Sequence, residues 1–151
     1  MSAETADQRV VNGFVVHPWM CDAMGHLNVR HYVAIFDDMT FMVAAKIGGP
    51  GSAAPQPNRG WADVHNEIDY ISEVRAGSVV EVRTGIKRVG GKSITIVSEM
   101  SLAQTGHLCA RFESTLVYFD LELRKATPLT EDLKAKLRPI LMADRAEVDK
   151  R

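Results

Sequence analysis

Two groups of residues in this 151-residue chain have types and spacing suited to bond-breaking chemistry. The first is the run Asp22-Ala23-Met24-Gly25-His26-Leu27-Asn28. A carboxylate such as Asp22 can attack an activated carbonyl or take a proton from water. Gly25 lets backbone approach a ligand closely and adopt unusual dihedrals. His26 can orient Asp22 or a water, or polarise a carbonyl. Asn28 can position water or substrate. The same residue types also cap helices and close Asx turns, so a purely structural role competes at Asp22, His26 and Asn28. The second group is Asp37-Asp38, a rival pair of carboxylates inside an apolar segment, where a charge needs solvent or a partner.

Other residues are binding candidates. Asn66 shares an alternation with Val64 and Ile68, which places a carboxamide on a core face, where it needs a partner. That partner is either structural or a site reached across a subunit boundary. Arg83, Lys87, Arg88 and Lys92 cluster around one hairpin and suit phosphate groups, or else form a solvated strand face. His17, His65 and His107 lack metal-ligand spacing, so no metal is expected.

These residues need elements to hold them. Val10 to Val16 read as a first strand, followed by a turn-rich stretch from His17 to Asn28. From Leu27 to Ile47, apolar residues such as Tyr32, Phe36, Met39 and Val43 recur at helical steps, and others fill most of the remaining surface. A helix apolar nearly all round must be covered on most sides. Gly48-Gly49-Pro50-Gly51 ends it, and the stretch to Gly60 reads as a loop. From Trp61 the period becomes two. Val64, Ile68 and Tyr70 face one way, and Asp63, His65, Glu67 and Asp69 the other. Three more alternating runs follow, separated by turn signals, which implies a four-strand antiparallel meander. Thr130 caps a short closing helix carrying Leu133, Leu137 and Leu141. One sheet cannot cover the long helix on every side, so a homodimer or homotetramer is expected.

Composition excludes several classes. A net charge of −1 argues against a nucleic-acid binder. Two cysteines, Cys21 and Cys109, are too few for a disulfide framework. The opening MSAETADQRV lacks the apolar run of a signal peptide. Asp37, Asp38 and Lys46 make the helix too polar to span a membrane. A cytoplasmic protein is expected, with a disordered lead-in over 1–9 and one domain over 10–151.

The α+β order, together with CDAMGHLNVRHYVAIFDD, resembles the hotdog-fold thioesterases of the 4-hydroxybenzoyl-CoA thioesterase type. In that fold a curved antiparallel sheet wraps a long central helix. The resemblance runs over about residues 10–127 and rests on Asp22, Gly25 and Tyr32, with Glu67-Ile-Asp-Tyr70, Gly77 and Val89-Gly90 as weaker later pieces. The form Asp-x-x-Gly-His-x-Asn is similar to the branch that hydrolyses acyl-CoA or acyl carrier protein thioesters. His26 departs from the original 4-hydroxybenzoyl-CoA enzymes, so their substrate is not carried over. The resemblance implies Asp22 as nucleophile or general base, and no cofactor beyond the coenzyme A of the substrate. The N–H groups of Gly25, His26 or Leu27, at the helix N-terminus, are expected to receive the carbonyl oxygen. Trp19 and Met20 then line the acyl pocket or pack the loop, and Tyr32 contacts substrate. Asp22 with His26 also fits a hotdog hydratase or dehydratase. A non-catalytic acyl-CoA-binding module is the reading outside enzymes.

Overall fold

A computed structural model of the chain describes residues 8–48 and 56–142. Most of the expected 1–9 lead-in, and the middle of the Gly48 to Gly60 loop, lie outside the described residues. Strand β1 (Val10–Val15) leads through a 3-10 turn (Pro18–Met20) to helix α1 (Val29–Gly48). Four long strands follow: β2 (Arg59–Tyr70), β3 (Val79–Val89), β4 (Ser93–Leu102) and β5 (Leu108–Asp120). A two-residue strand β6 (Lys125–Ala126) and the helix α2 (Glu131–Leu137) complete the fold. Thr130 caps α2 through its side chain, which accepts from the Leu133 amide, as its sequence position implies.

All pairings between named strands are antiparallel, in the order β1-β3-β4-β5-β2, with β6 beside β5. This corrects the expected four-strand meander. Strands β3, β4 and β5 do form one, but β2 pairs with β5 at the far edge rather than with β3. The stretch 71–78 between β2 and β3 is no tight turn. Val74 is buried, its carbonyl accepts from the Leu27 amide, and Gly77 and Ser78 bond to Val16. The connection thereby packs against the Asp22 turn and crosses from the β2 edge of the sheet to β3, next to the opposite edge strand β1.

Helix α1 lies on one face of the sheet. Phe36 stacks on Phe112 of β5 at 4.8 Å, and Ile35, Met39 and Val43 are buried with it. Each such side chain contributes roughly 1.5–3 kcal/mol when fully buried. One flank of the helix, toward the edge strand β2, is left uncovered. Val29, Val33, Asp37 and Phe41 fall four apart and are all exposed, the spacing that sets residues in one row along a helix. Beyond the end of β1, the upper part of β3 is covered instead by the chain after α2, where Met142 donates to the Ile86 carbonyl.

The long edge strand β2 holds a bulge between Asp63 and His65. Residues directly opposite in an antiparallel pair share a face. Trp61 stands opposite Tyr118, Asp63 opposite Leu116, Asn66 opposite Ser114 and Ile68 opposite Phe112. All four partners are buried on the helix side of the sheet. The bulge therefore turns Asp63 inward, correcting the alternation that grouped it with His65, Glu67 and Asp69, and leaves Val64 60% exposed.

Candidate functional site

The residues from Cys21 to Leu27 form a miniature hairpin. The Asp22 amide donates to the His26 carbonyl, the Gly25 amide donates back to the Asp22 carbonyl, and Cys21 bridges Leu27. The reversal needs a left-handed residue, and Gly25 supplies it at φ +78. The Asp22 carboxylate is held inside this turn: its Oδ1 accepts from the amides of Met24 at 2.9 Å and His26 at 3.3 Å. Its Oδ2 accepts no hydrogen bond from the described residues. One oxygen fixes the carboxylate, and the other is available to a substrate or water.

Helix α1 starts immediately after this turn. Asn28 caps it, with Oδ1 accepting from the Arg30 amide and its carbonyl from His31. The structural alternative for Asn28 is thus occupied. The amides of the turn are also spoken for: Gly25 and His26 bond to Asp22, and Leu27 to Val74. Among the amides that open the helix, that of Val29 donates to no described group. It sits at the positive end of the helix dipole, where developing negative charge is favoured.

The His26 imidazole turns away from Asp22. Its Nε2 lies 2.9 Å from Glu73 Oε2, and Arg75 binds the other Glu73 oxygen at 2.7 Å. The Arg75 hydrogen bond, with smaller help from the His26 and Arg75 charges, holds the Glu73 carboxyl below its ordinary range. Nothing in the sequence pattern marks Glu73. It lies in the crossing connection, which has neither helical nor strand period.

The remaining candidates are dispersed. Met20 is buried, while Trp19 is 72% exposed, with its ring over His17 and its edge against His31. Tyr32 is buried against Tyr70 at 5.1 Å, and burial above all pushes its hydroxyl up to about 12. Asn66 faces inward as expected but is exposed, because α1 does not reach over that part of β2. In the basic hairpin, Arg83 binds Glu81 and Lys87 binds Glu113, whereas Arg88 and Lys92 meet no carboxylate among the described residues. That hairpin closes the end of β3 remote from the Asp22 turn, roughly 30 Å away at strand rise. The chain therefore does not bring Lys87, Arg88 or Lys92 to its own Asp22. No group of His, Cys, Asp and Glu among the described residues has the arrangement of a metal site, and no described helix is long and apolar enough to cross a membrane.

Asp37 and Asp63, which the sequence places on different faces, meet at a cavity of about 430 Å³ between the second half of α1 and strands β2, β4 and β5. Burial, then the Asp63 and Asp38 charges, push the Asp37 carboxyl above the ordinary carboxylate range. Asp63 Oδ1 accepts from the buried Ser114 hydroxyl at 2.9 Å. As α1 advances from Tyr32 to Asp37 to Ile47, its neighbours on β2 run back from Tyr70 to Asp63 to Trp61.

Comparison with known proteins matches this architecture. The sequence model of the thioesterase-like superfamily covers residues 16–137. A betainyl-CoA thioesterase of Pseudomonas aeruginosa is 25% identical over 131 residues, covering 87% of this chain and 82% of that protein. A predicted thioesterase from Bacillus stearothermophilus superposes with a TM-score of 0.79 at 24% identity, over 89% of this chain and 97% of the other. A Staphylococcus aureus protein solved in complex with CoA reaches a TM-score of 0.83 at 15% identity, over 93% and 90% of the two chains. The curved antiparallel sheet and its packed helix are the hotdog fold of these thioesterases.

Proposed function

The chain belongs to the thioesterase-like superfamily and is a thioester hydrolase, and from that premise we propose that Asp22 and the N-terminus of α1 carry the reaction on an acyl-CoA. The observation that carries this reading is the Asp22 carboxylate, tethered through Oδ1 and open at Oδ2, one turn ahead of the unengaged Val29 amide. The thioester carbonyl oxygen accepts from Val29 N–H, where the helix dipole stabilises the charge that develops on attack. Asp22 Oδ2 either attacks the carbonyl carbon or draws the proton from an attacking water, and the thiol of coenzyme A leaves. Gly25 shapes the turn, His26 braces it through Glu73, and Asn28 caps the helix.

The catalytic unit spans 10–151, works in the cytoplasm without a cofactor, and acts as a homodimer or homotetramer. Support for assembly is the uncovered row on α1 and the exposed inner residues of β2. A partner laid there brings a second set of Asn66, Arg88 and Lys92 toward the Asp22 turn, where the phosphates of coenzyme A have cations to meet. Carrier-protein thioesters belong to the same reading. The Pseudomonas relative is named for betainyl-CoA, so a betaine thioester belongs in the substrate panel.

The test is thiol release from acyl-CoAs ranging from short polar to long and aromatic, with wild type and Asp22→Asn. Asn keeps the acceptor for the Met24 and His26 amides but has no basic oxygen. Turnover is expected to fall by roughly 10²–10⁴-fold with the fold intact. Wild-type turnover in Asp22→Asn moves the chemistry to Asp37 or Asp38. Hydration of an enoyl-CoA without thiol release supports the hydratase reading instead, and binding without turnover the non-catalytic one.

A further inference from the structure

The cavity beside Asp37 and Asp63 has a composition that a plain hydrocarbon chain does not require. Ile47, Ile94 and Leu116 give it apolar walls, Trp61 lines it with an aromatic ring, and its charged groups among the described residues are both carboxylates. No Lys, Arg or His among the described residues lines it. Asp63 reaches it only because the bulge in β2 reverses the strand's alternation at that point; bulges commonly re-aim a side chain at a functional site. Asp37 enters from the row of α1 that already faces β2. The two carboxylates keep contact with solvent at the mouth of this partly apolar space, where they repel each other, and a cation lodged between them relieves that repulsion.

We propose that this cavity takes the acyl group of the substrate and selects one that ends in a positively charged, alkylated ammonium. The proposal rests on the thioesterase reading above and names its substrate class. The alkyl groups fill the isoleucine and leucine walls, the cation lies between Asp37 and Asp63, and the indole face of Trp61 adds attraction for a diffuse cation. An acyl group ending in a carboxylate is repelled, and a plain fatty chain strips water from two carboxylates with nothing in return. The cavity also sets the reach of the acyl arm. Asp37 lies eight residues along the helix from Val29, roughly 12 Å at helical rise, so an acyl arm attacked in the same chain is long, and a short one is attacked at the partner's helix end.

The experiment uses isosteric acyl-CoA pairs in which a terminal trimethylammonium is exchanged for tert-butyl, on acetyl, butanoyl and hexanoyl arms. Shape is matched, and only charge differs. At one arm length the cationic member is expected to show kcat/KM roughly ten- to thirtyfold above its carbon isostere, and Asp63→Asn is expected to lower that ratio. A ratio of one or less at every length overturns the proposal while leaving the hydrolase reading intact. In parallel, the free tetramethylammonium ion is titrated against the Trp61 indole N–H resonance, assigned by its loss in Trp61→Phe, with sodium at equal ionic strength as the control. A saturable shift seen only with tetramethylammonium, in a protein that hydrolyses no acyl-CoA, supports the cation site and overturns the hydrolase reading. The absence of such a shift, beside hydrolysis without charge preference, overturns the cation site.

Discussion

The His26 imidazole is bound to Glu73 and not to Asp22: Nε2 stands 2.9 Å from the Glu73 carboxylate, while it is the His26 backbone amide that reaches Asp22 Oδ1. One residue thus ties the acidic turn to the crossing connection, with its main chain on one side and its ring on the other. The arrangement differs from a His–Asp catalytic pair, in which the ring itself would orient the acid. His26 thus begins a chain of contacts in which Glu73 and Arg75 are the outer members.

A pH dependence follows from that chain. The Glu73 carboxyl titrates below its ordinary 4.5, first because of the Arg75 hydrogen bond. A group with a lowered folded-state pKa contributes stability above its unfolded value and loses it as pH falls through the folded one. Glu73→Gln is therefore expected to flatten the acid limb of the stability profile below about pH 4.5. Urea midpoints measured from pH 7 to pH 3.5 give the comparison, and superimposable limbs for the two proteins would refute the linkage.

At Asp22 the two roles of the carboxylate separate by substitution. Asp22→Asn removes the proposed nucleophile or base but keeps an acceptor for the two amides, whereas Asp22→Ala removes both. Loss of a capping acceptor of this kind costs about 1 kcal/mol. Asp22→Ala is expected to unfold at a lower denaturant midpoint than Asp22→Asn, with both equally slow in thiol release. Equal midpoints would mean that the amide contacts add nothing to the turn.

The long helix, the five principal strands and the acidic turn are legible in the sequence because period and turn residues act locally. Three features are not. The crossing of 71–78 depends on Val74 packing beneath Leu27, a contact between distant segments. Glu73 gains its importance only through that crossing. Asp63 is hidden by a bulge, since counting by two across one extra residue assigns every earlier side chain to the wrong face. Asn66 lies beyond the bulge, and the same counting places it correctly. The apolar surface of α1 points to a missing cover, and the exposed Val29, Val33 and Phe41 show where a single chain fails to supply it.

Asp37 gives a dependence of opposite sign. Burial first, then the Asp63 and Asp38 charges, raise its carboxyl above the ordinary 3.8. The unfolded chain releases this proton at lower pH than the folded one, so stability falls as pH rises from 3.8 through the folded value and stays lower above it. Asp37→Asn is expected to raise the urea midpoint at pH 7, and the gain is expected to shrink as pH approaches 4. A midpoint gain that is the same at both pH values would trace the effect to packing rather than to charge.

The uncovered row on α1 makes the last prediction. Val33 is 41% exposed in the middle of that row, between Val29 and Asp37, and Tyr70 and Ile71 are about half exposed near the end of β2 beside the same helix. Exposed apolar residues in a continuous strip mark an interface, and a long unpaired strand edge invites pairing with another chain. Val33→Glu places a charge where a partner would bury it but leaves the core under α1 untouched. Light scattering on an eluting column is expected to show an oligomer for wild type and a smaller species for Val33→Glu, with helical content preserved in circular dichroism. Thiol release is expected to fall together with the mass, because the proposed site takes Asn66 and the basic hairpin from a second chain. A monomeric wild type with full activity would remove the shared site. A Val33→Glu protein that is monomeric and fully active would show that each chain completes its site alone.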